Sequence, residues 1–159
     1  MAFFPLPRHS LRKQIGAPGT FSDQKGLTTQ AVTTQADSAS SVYATDRNGD
    51  DRPDVLSAFD DKIVWYENEG SGTFSGQKVL AEDNVATSVY VADLNGDDQS
   101  DVLSTFGGKI AWHENEGDGT FSDQKVISTH GGGSVLAKDL NGDDSPDILS
   151  AGGGMIAWY

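Results

Sequence analysis

Three stretches of this chain are nearly the same sequence. Asp46, Asp93 and Asp139 open DRNGDDRPDVLS, DLNGDDQSDVLS and DLNGDDSPDILS, spaced by 47 and 46 residues. Trp65, Trp112 and Trp158 keep the same spacing, and GTFSGQK at 72–78 recurs as GTFSDQK at 119–125 and at 19–25. A chain that repeats at a fixed period builds one supersecondary unit several times and buries each unit's faces on its neighbours. The fold question is therefore what one unit of about 46 residues makes.

One unit reads as four short strands. In the second copy these are SVYVAD (88–93), VLSTF (102–106), KIAWHE (109–114) and QKVIS (124–128), separated by Gly, Asp and Asn. Short β-branched runs split by turn residues predict an all-β chain, and no segment has a helical period of useful length. Four strands in about 45 residues is the size of a β-propeller blade. The sequence reaches Tyr159 inside the third strand of the third copy, while an unused fourth-strand sequence lies at Gly19–Lys25. The expectation is a permuted arrangement of three blades, in which the strand at 20–27 completes a third blade of its own or of a neighbouring chain. From Lys25 to Asp46 the connection is 21 residues, against 15 and 14 in the other copies. Its excess, LTTQAVTTQADSAS, reads as a loop or linker.

The acidic loops carry the chemistry. With the first aspartate as position 1, Asp46, Asn48, Asp50 and Asp54 stand at positions 1, 3, 5 and 9. Asp93, Asn95, Asp97 and Asp101 repeat the pattern, as do Asp139, Asn141, Asp143 and Asp147. Position 7 varies (Arg52, Gln99, Ser145), as expected where only its carbonyl oxygen is used. Calcium takes six to eight hard oxygen ligands in flexible geometry, and alternate carboxylates on a curled backbone supply them. Gly49, Gly96 and Gly142 at position 4 permit the bend. An EF-hand needs Gly at position 6 and Glu at position 12. Here those positions are Asp (51, 98, 144) and Ser (57, 104, 150) and the flanks are strands, so that motif is rejected. A plain Asn/Asp/Gly turn would not need the same oxygen pattern three times. The loops hold 12 of the 24 acidic residues, a clustering that costs stability by repulsion without a cation. The expectation is one Ca2+ per repeat, about three per chain.

The pattern D-x-N-G-D-D-x-x-D-[VI]-L-S, followed by K-I-x-W-[YH]-E-N-E-G-x-G-T-F, resembles the FG-GAP/VCBS repeat family over roughly residues 19–159. That resemblance implies blades like those of integrin α-subunit propellers, with calcium held between the first two strands of each. Residues 1–18 are then an N-terminal extension, and 19–159 are three blades with acidic loops at 46–54, 93–101 and 139–147. The chain departs from the family in having Asp, not Gly, at position 6. Aspartate tolerates left-handed backbone better than most residues, so the loop geometry is expected to survive.

Other functions find less support. Net charge is −13, which disfavours nucleic acid and anionic membrane as partners. No run approaches the ~18 apolar residues of a membrane span. Arg8, Arg12 and Lys13 follow the apolar Phe3, Phe4 and Leu6, the reverse of a secretory signal, so none is read here. Cysteine is absent, which excludes disulfides and thiol chemistry. His9, His113 and His130 share no metal-ligand spacing and read as solvated. The pairs Glu67/Glu69 and Glu114/Glu116 read as turn residues, no nucleophile motif is present, and the chain is not read as an enzyme. The tryptophans read as packing between blades, and Tyr66, His113 and Tyr159 beside them as aromatics that could line grooves for a sugar. Three blades rarely close a ring alone, so a homo-oligomer is expected: a dimer with six blades ahead of a trimer with nine. Two functions follow, an extracellular or cell-surface module that binds a glycan or protein, and a structural scaffold or part of a larger propeller, with a hydrolase a distant third.

Overall fold

The computed structural model describes Val32 and residues 38–59, 61–82, 86–117 and 120–159. The chain divides into two units, Met1–Ala31 and Val32–Tyr159. The extension at 1–18 and the strand expected at 20–27 lie outside the described residues. Among the described residues, no helix is long and apolar enough to cross a membrane.

The second unit is built of antiparallel sheets. The first contains β1 (Ala39–Thr45), β2 (Asp54–Phe59), β3 (Lys62–Tyr66) and β6 (Lys78–Glu82), in that spatial order. A small hairpin, β4 (Asn68–Gly70) with β5 (Thr73–Phe74), stands between β3 and β6. The second sheet orders β7 (Ala86–Ala92), β8 (Asp101–Phe106), β9 (Gly108–His113) and β10 (Lys125–Gly132) in the same way. The third has three strands, β11 (Ser134–Lys138), β12 (Asp147–Gly152) and β13 (Met155–Trp158). The four strands expected from the sequence are present in the first two copies. The β4–β5 hairpin was not expected, because NEGSGTF reads as turn residues. In the second copy a single bridge, Asn115 with Phe121, takes its place.

Pairing register decides which side chains share a face. In the first sheet Leu56 pairs with Trp65 and Ala58 with Ile63, while Val55 pairs with Tyr66 and Ser57 with Val64. The second sheet repeats this with Leu103 opposite Trp112 and Val102 opposite His113. In the first two sheets this Leu/Ile/Trp face then meets the first strand of the next. One core joins Leu56, Ile63 and Trp65 to Val89, Val91 and Val102. The next joins Leu103 and Ile110 to Val135 and Ala137. Trp65 thus packs between sheets, as its repetition predicted. His113 is buried at 3% exposure, contrary to the solvated reading, because it occupies the inward position that Tyr66 holds one repeat earlier.

The first strands also bond across sheets. Ser41 Oγ accepts the Val89 N–H at 3.2 Å, and Ser88 Oγ accepts the Val135 N–H at 3.3 Å. Tyr43 and Tyr90 meet edge to face with centroids 4.9 Å apart. Between β10 and β11 the backbone passes so close to its neighbours that no side chain fits. A Cβ on Gly132 would stand 2.3 Å from the Lys109 carbonyl oxygen, and one on Gly133 would stand 2.7 Å from that of Ala151.

Leu103 is fully buried at the centre of the second interface. Leu103→Ala is expected to cost about 2–5 kcal/mol, the range for deleting a buried leucine. Urea unfolding followed by tryptophan fluorescence measures it.

Candidate metal centres

Each acidic loop joins the first strand of a sheet to its second, and all three fold alike. The position-1 aspartate gathers the loop backbone. Asp46 Oδ1 accepts N–H groups of Gly49 and Asp50 at 2.8 and 3.2 Å, and its Oδ2 accepts that of Asp51 at 2.8 Å. Asp93 does the same with Gly96, Asp97 and Asp98 at 2.7, 3.2 and 2.9 Å. Asp139 holds Gly142 and Asp144 at 2.6 and 3.1 Å. Position 3 adds a turn of its own: the side-chain oxygens of Asn48, Asn95 and Asn141 accept the position-5 N–H at 3.1, 3.1 and 2.9 Å.

Two left-handed residues make this curl. Gly49, Gly96 and Gly142 have φ of 77°, 78° and 83°. Nothing lies within 4 Å of a Cβ placed on any of them, so the backbone angle rather than space calls for glycine. Asp51, Asp98 and Asp144 at position 6 follow with φ of 64°, 65° and 65°. The aspartates therefore adopt the left-handed geometry expected of position 6, at some steric cost.

Position 7 takes part through its backbone. The N–H groups of Arg52, Gln99 and Ser145 donate to the position-5 carboxylates at 2.9, 2.8 and 2.9 Å, a bond that any residue but proline can make. Arg52 adds an ion pair of 2.6 Å with Asp50, which holds the Asp50 carboxyl below its ordinary range. The other two loops have no cation at this position.

The position-9 aspartates are struts. Asp54 Oδ1 accepts the Asn68 N–H at 2.8 Å and Asp101 Oδ1 accepts that of Asn115 at 2.9 Å. Their other oxygens accept from Arg47 and Leu94 at 3.3 and 2.9 Å. Each strut ties its loop to the turn after the third strand. Asp147 accepts from Leu140 at 2.9 Å and from the Asn141 amide at 3.5 Å.

Charge divides the carboxylates. Burial pushes Asp93 up, but the N–H groups of Asp98, Gly96, Asp97 and Asn95 outweigh it and leave the carboxyl below its usual value. The Gly142 N–H leads the donors that depress Asp139. Burial raises Asp101, and the charges of Asp97 and Asp93 raise it further, against the N–H groups of Asn115 and Leu94.

Two glutamates that read as turn residues join the loops. Asn48 donates from its amide to Asp50 at 3.3 Å and to Glu67 at 3.1 Å. The other oxygen of Glu67 pairs with Lys78 at 2.7 Å, and Lys78 stands 4.3 Å from the Trp65 ring centroid. The second copy repeats the chain from Asn95 to Glu114, Lys125 and Trp112. The signal in the sequence was a lysine eleven residues after each glutamate, in register with the tryptophan.

The residues present fit calcium by donor type: every loop offers carboxylate and amide oxygens at positions 1, 3, 5 and 9. Their present arrangement is not a ligand cage. Among the described residues no three His, Cys, Asp or Glu side chains stand together as metal ligands. The position-3 amide nitrogen, which cannot ligate a cation, faces the position-5 carboxylate in each loop. Beside the first two loops lies a cleft of about 230 Å³ lined by Arg47, Asn48, Gln99, Asn115 and Gly117.

The sequence profile described as FG-GAP-like repeat matches residues 46–104 and 97–150. No curated protein matches the chain. Among solved structures, the chain is similar to a lectin of Agrocybe aegerita whose structure concerns specific recognition of non-reducing terminal N-acetylglucosamine. The two are 25% identical with a TM-score of 0.52, and the match covers 68% of this chain and 31% of the lectin. This chain therefore matches about a third of that protein's length.

The lysine partner holds Glu67 below the ordinary glutamate range, so their pairing contributes above that range and is lost as pH falls through the depressed value. Lys78→Met is expected to move the Glu67 titration up to the ordinary range while leaving Glu114 unchanged. Side-chain carboxyl carbon shifts followed by NMR would show it.

Proposed function

The chain belongs to the FG-GAP-like repeat family, and from that we propose a calcium-stabilised β-propeller module that binds glycans outside the cell. The propeller reading is supported by sheets that repeat one strand order and pack face to face, and by likeness to the lectin. Copies of the chain complete the ring, two giving six blades ahead of three giving nine.

Calcium is supported by the oxygen donors and by their cost without a cation. Asp101 is buried beside Asp93 and Asp97, and a divalent cation there would offset both the desolvation and the repulsion. Asp46, Asn48, Asp50 and Asp54 would hold it in the first loop, with the carbonyl of Arg52, and the equivalent residues in the other two. Loops of this kind suit the near-millimolar free calcium outside cells. A cation bound in a loop would join strands and turn by electrostatic attraction.

The observation that carries the glycan reading is the cleft between the first two repeats. The exposed Gln99 amide and the Arg47 guanidinium are planar groups suited to directed hydrogen bonds with sugar hydroxyls, and the Asn48 and Asn115 amides, bonded within the protein, form the walls beside them. Terminal N-acetylglucosamine, named for the similar lectin, is the first ligand to test. A non-catalytic module fits both the family and that neighbour. A scaffold reading stands beside it, favoured by the near-identity of the three loops, which suits a structural metal.

Calcium is expected to raise the melting temperature and EDTA to lower it, with about three ions per chain by titration calorimetry. The first loop should bind most weakly, because Arg52 already neutralises Asp50, and Arg52→Ser should strengthen it. A melting curve indifferent to excess chelator would count against calcium. On a glycan array with calcium present, glycans ending in N-acetylglucosamine should be retained, and Gln99→Ala should weaken them. An array with no signal, from protein that still melts higher with calcium, leaves the scaffold reading.

A further inference from the structure

The stack of sheets has two unlike ends. The isoleucine of the Leu/Ile/Trp face is 0% exposed in the first two sheets (Ile63, Ile110) and 78% exposed in the third (Ile156). Trp65 is 7% exposed and Trp158 is 57% exposed. Leu136, which pairs with Leu149, extends the same outward-facing region of the third sheet. At the other end, the first-strand valine that fills this face is 4% and 5% exposed as Val89 and Val135, but 69% exposed as Val42. Val32 packs on Phe59, Val64 and Tyr66 of the first sheet, and the position of Val42 on β1 stays open.

The chain shows twice what covers such a face. Leu56, Ile63 and Trp65 take Val89 and Val91, and Leu103 and Ile110 take Val135 and Ala137. The third member of the series is Leu149, Ile156 and Trp158, and the matching insert is Val42 with Ala44. The polar contact continues in step. Ser41 takes the Val89 N–H and Ser88 takes the Val135 N–H, which leaves Ser134 as the next acceptor and the Val42 N–H as the next donor.

We propose that a second copy of this chain docks its first sheet, through Val42 and Ala44, on the outer face of the third sheet at Leu149, Ile156 and Trp158. The contact is head to tail: one patch meets a different patch, and the pair keeps one insert and one face free for further copies. Ser134 Oγ accepts the N–H of Val42 from the second copy. This deepens the ring reading above, since the same contact closes a ring or continues as a filament according to the angle between copies.

The test mixes two blocked variants. Val42→Asp spoils the insert and Ile156→Asp spoils the face that receives it. Both side chains are exposed in the single chain, so far-UV circular dichroism should be unchanged. Val42→Lys with Ile156→Lys provides a second pair. By size-exclusion chromatography with light scattering, the unaltered chain should have a multiple of the single-chain mass, and each variant alone should be monomeric. The equimolar mixture should form a dimer and nothing larger, because one intact face meets one intact insert and both remaining ends are blocked. A monomeric unaltered chain overturns the proposal. So does a mixture that stays monomeric while the unaltered chain associates, since that marks contact between like patches. Open polymers of the unaltered chain, with a dimeric mixture, support this interface and sink the closed ring.

Discussion

Each of the three larger described sheets has two apolar faces and too little mass to be stable alone. The contact that resolves this is the seating of first-strand valines against the Leu/Ile/Trp face of the sheet before. Leu56, Leu103 and Ile110 reach full burial only because a following sheet covers them. Strand register fixes which side chains meet there, and the serine bonds between first strands fix how far each sheet slides on the next. The loops inherit their positions from this stacking.

Within the loops, carboxylates do the work that secondary structure does elsewhere. A buried or curled backbone must place its N–H groups somewhere. Here the position-1 and position-9 aspartates take them, so each loop is ordered by its own acid groups. A side chain suited to a cation is also the side chain that shapes the loop. Losing Asp54 or Asp101 would strand the N–H of Asn68 or Asn115 and detach the following turn.

Much of this was legible in the sequence. The period, the order of strands, the loop positions and the interfacial packing of Trp65 all follow from three copies laid on one another. Asp at position 6 adopts left-handed backbone, as its short polar side chain allowed. What the repeat hid was contact between copies and between turns. Glu67 and Glu114 lie in turn sequences, and only the strand geometry brings Lys78 and Lys125 beside them. His113 is polar in composition yet inward by register. Val42 and Val89 are the same residue type at the same repeat position, and nothing local says that one is exposed. Residue type repeats with the sequence, whereas burial depends on how many neighbours a copy has.

Arg47 breaks the repetition at one interface. Its guanidinium stands 4.3 Å from the ring centroid of Trp65 and 4.9 Å from that of Phe121, so it clamps the first sheet to the second repeat. The equivalent residue at the next interface is Leu94, which contributes apolar packing to the second core. The first joint therefore adds a cation–aromatic clamp to its apolar core, where the second has only a further apolar side chain. Salt weakens a cation–aromatic contact and leaves apolar packing in place, so the first joint alone carries a salt-sensitive element beside its apolar core. Near-identical units are thus joined by contacts that answer differently to ionic strength.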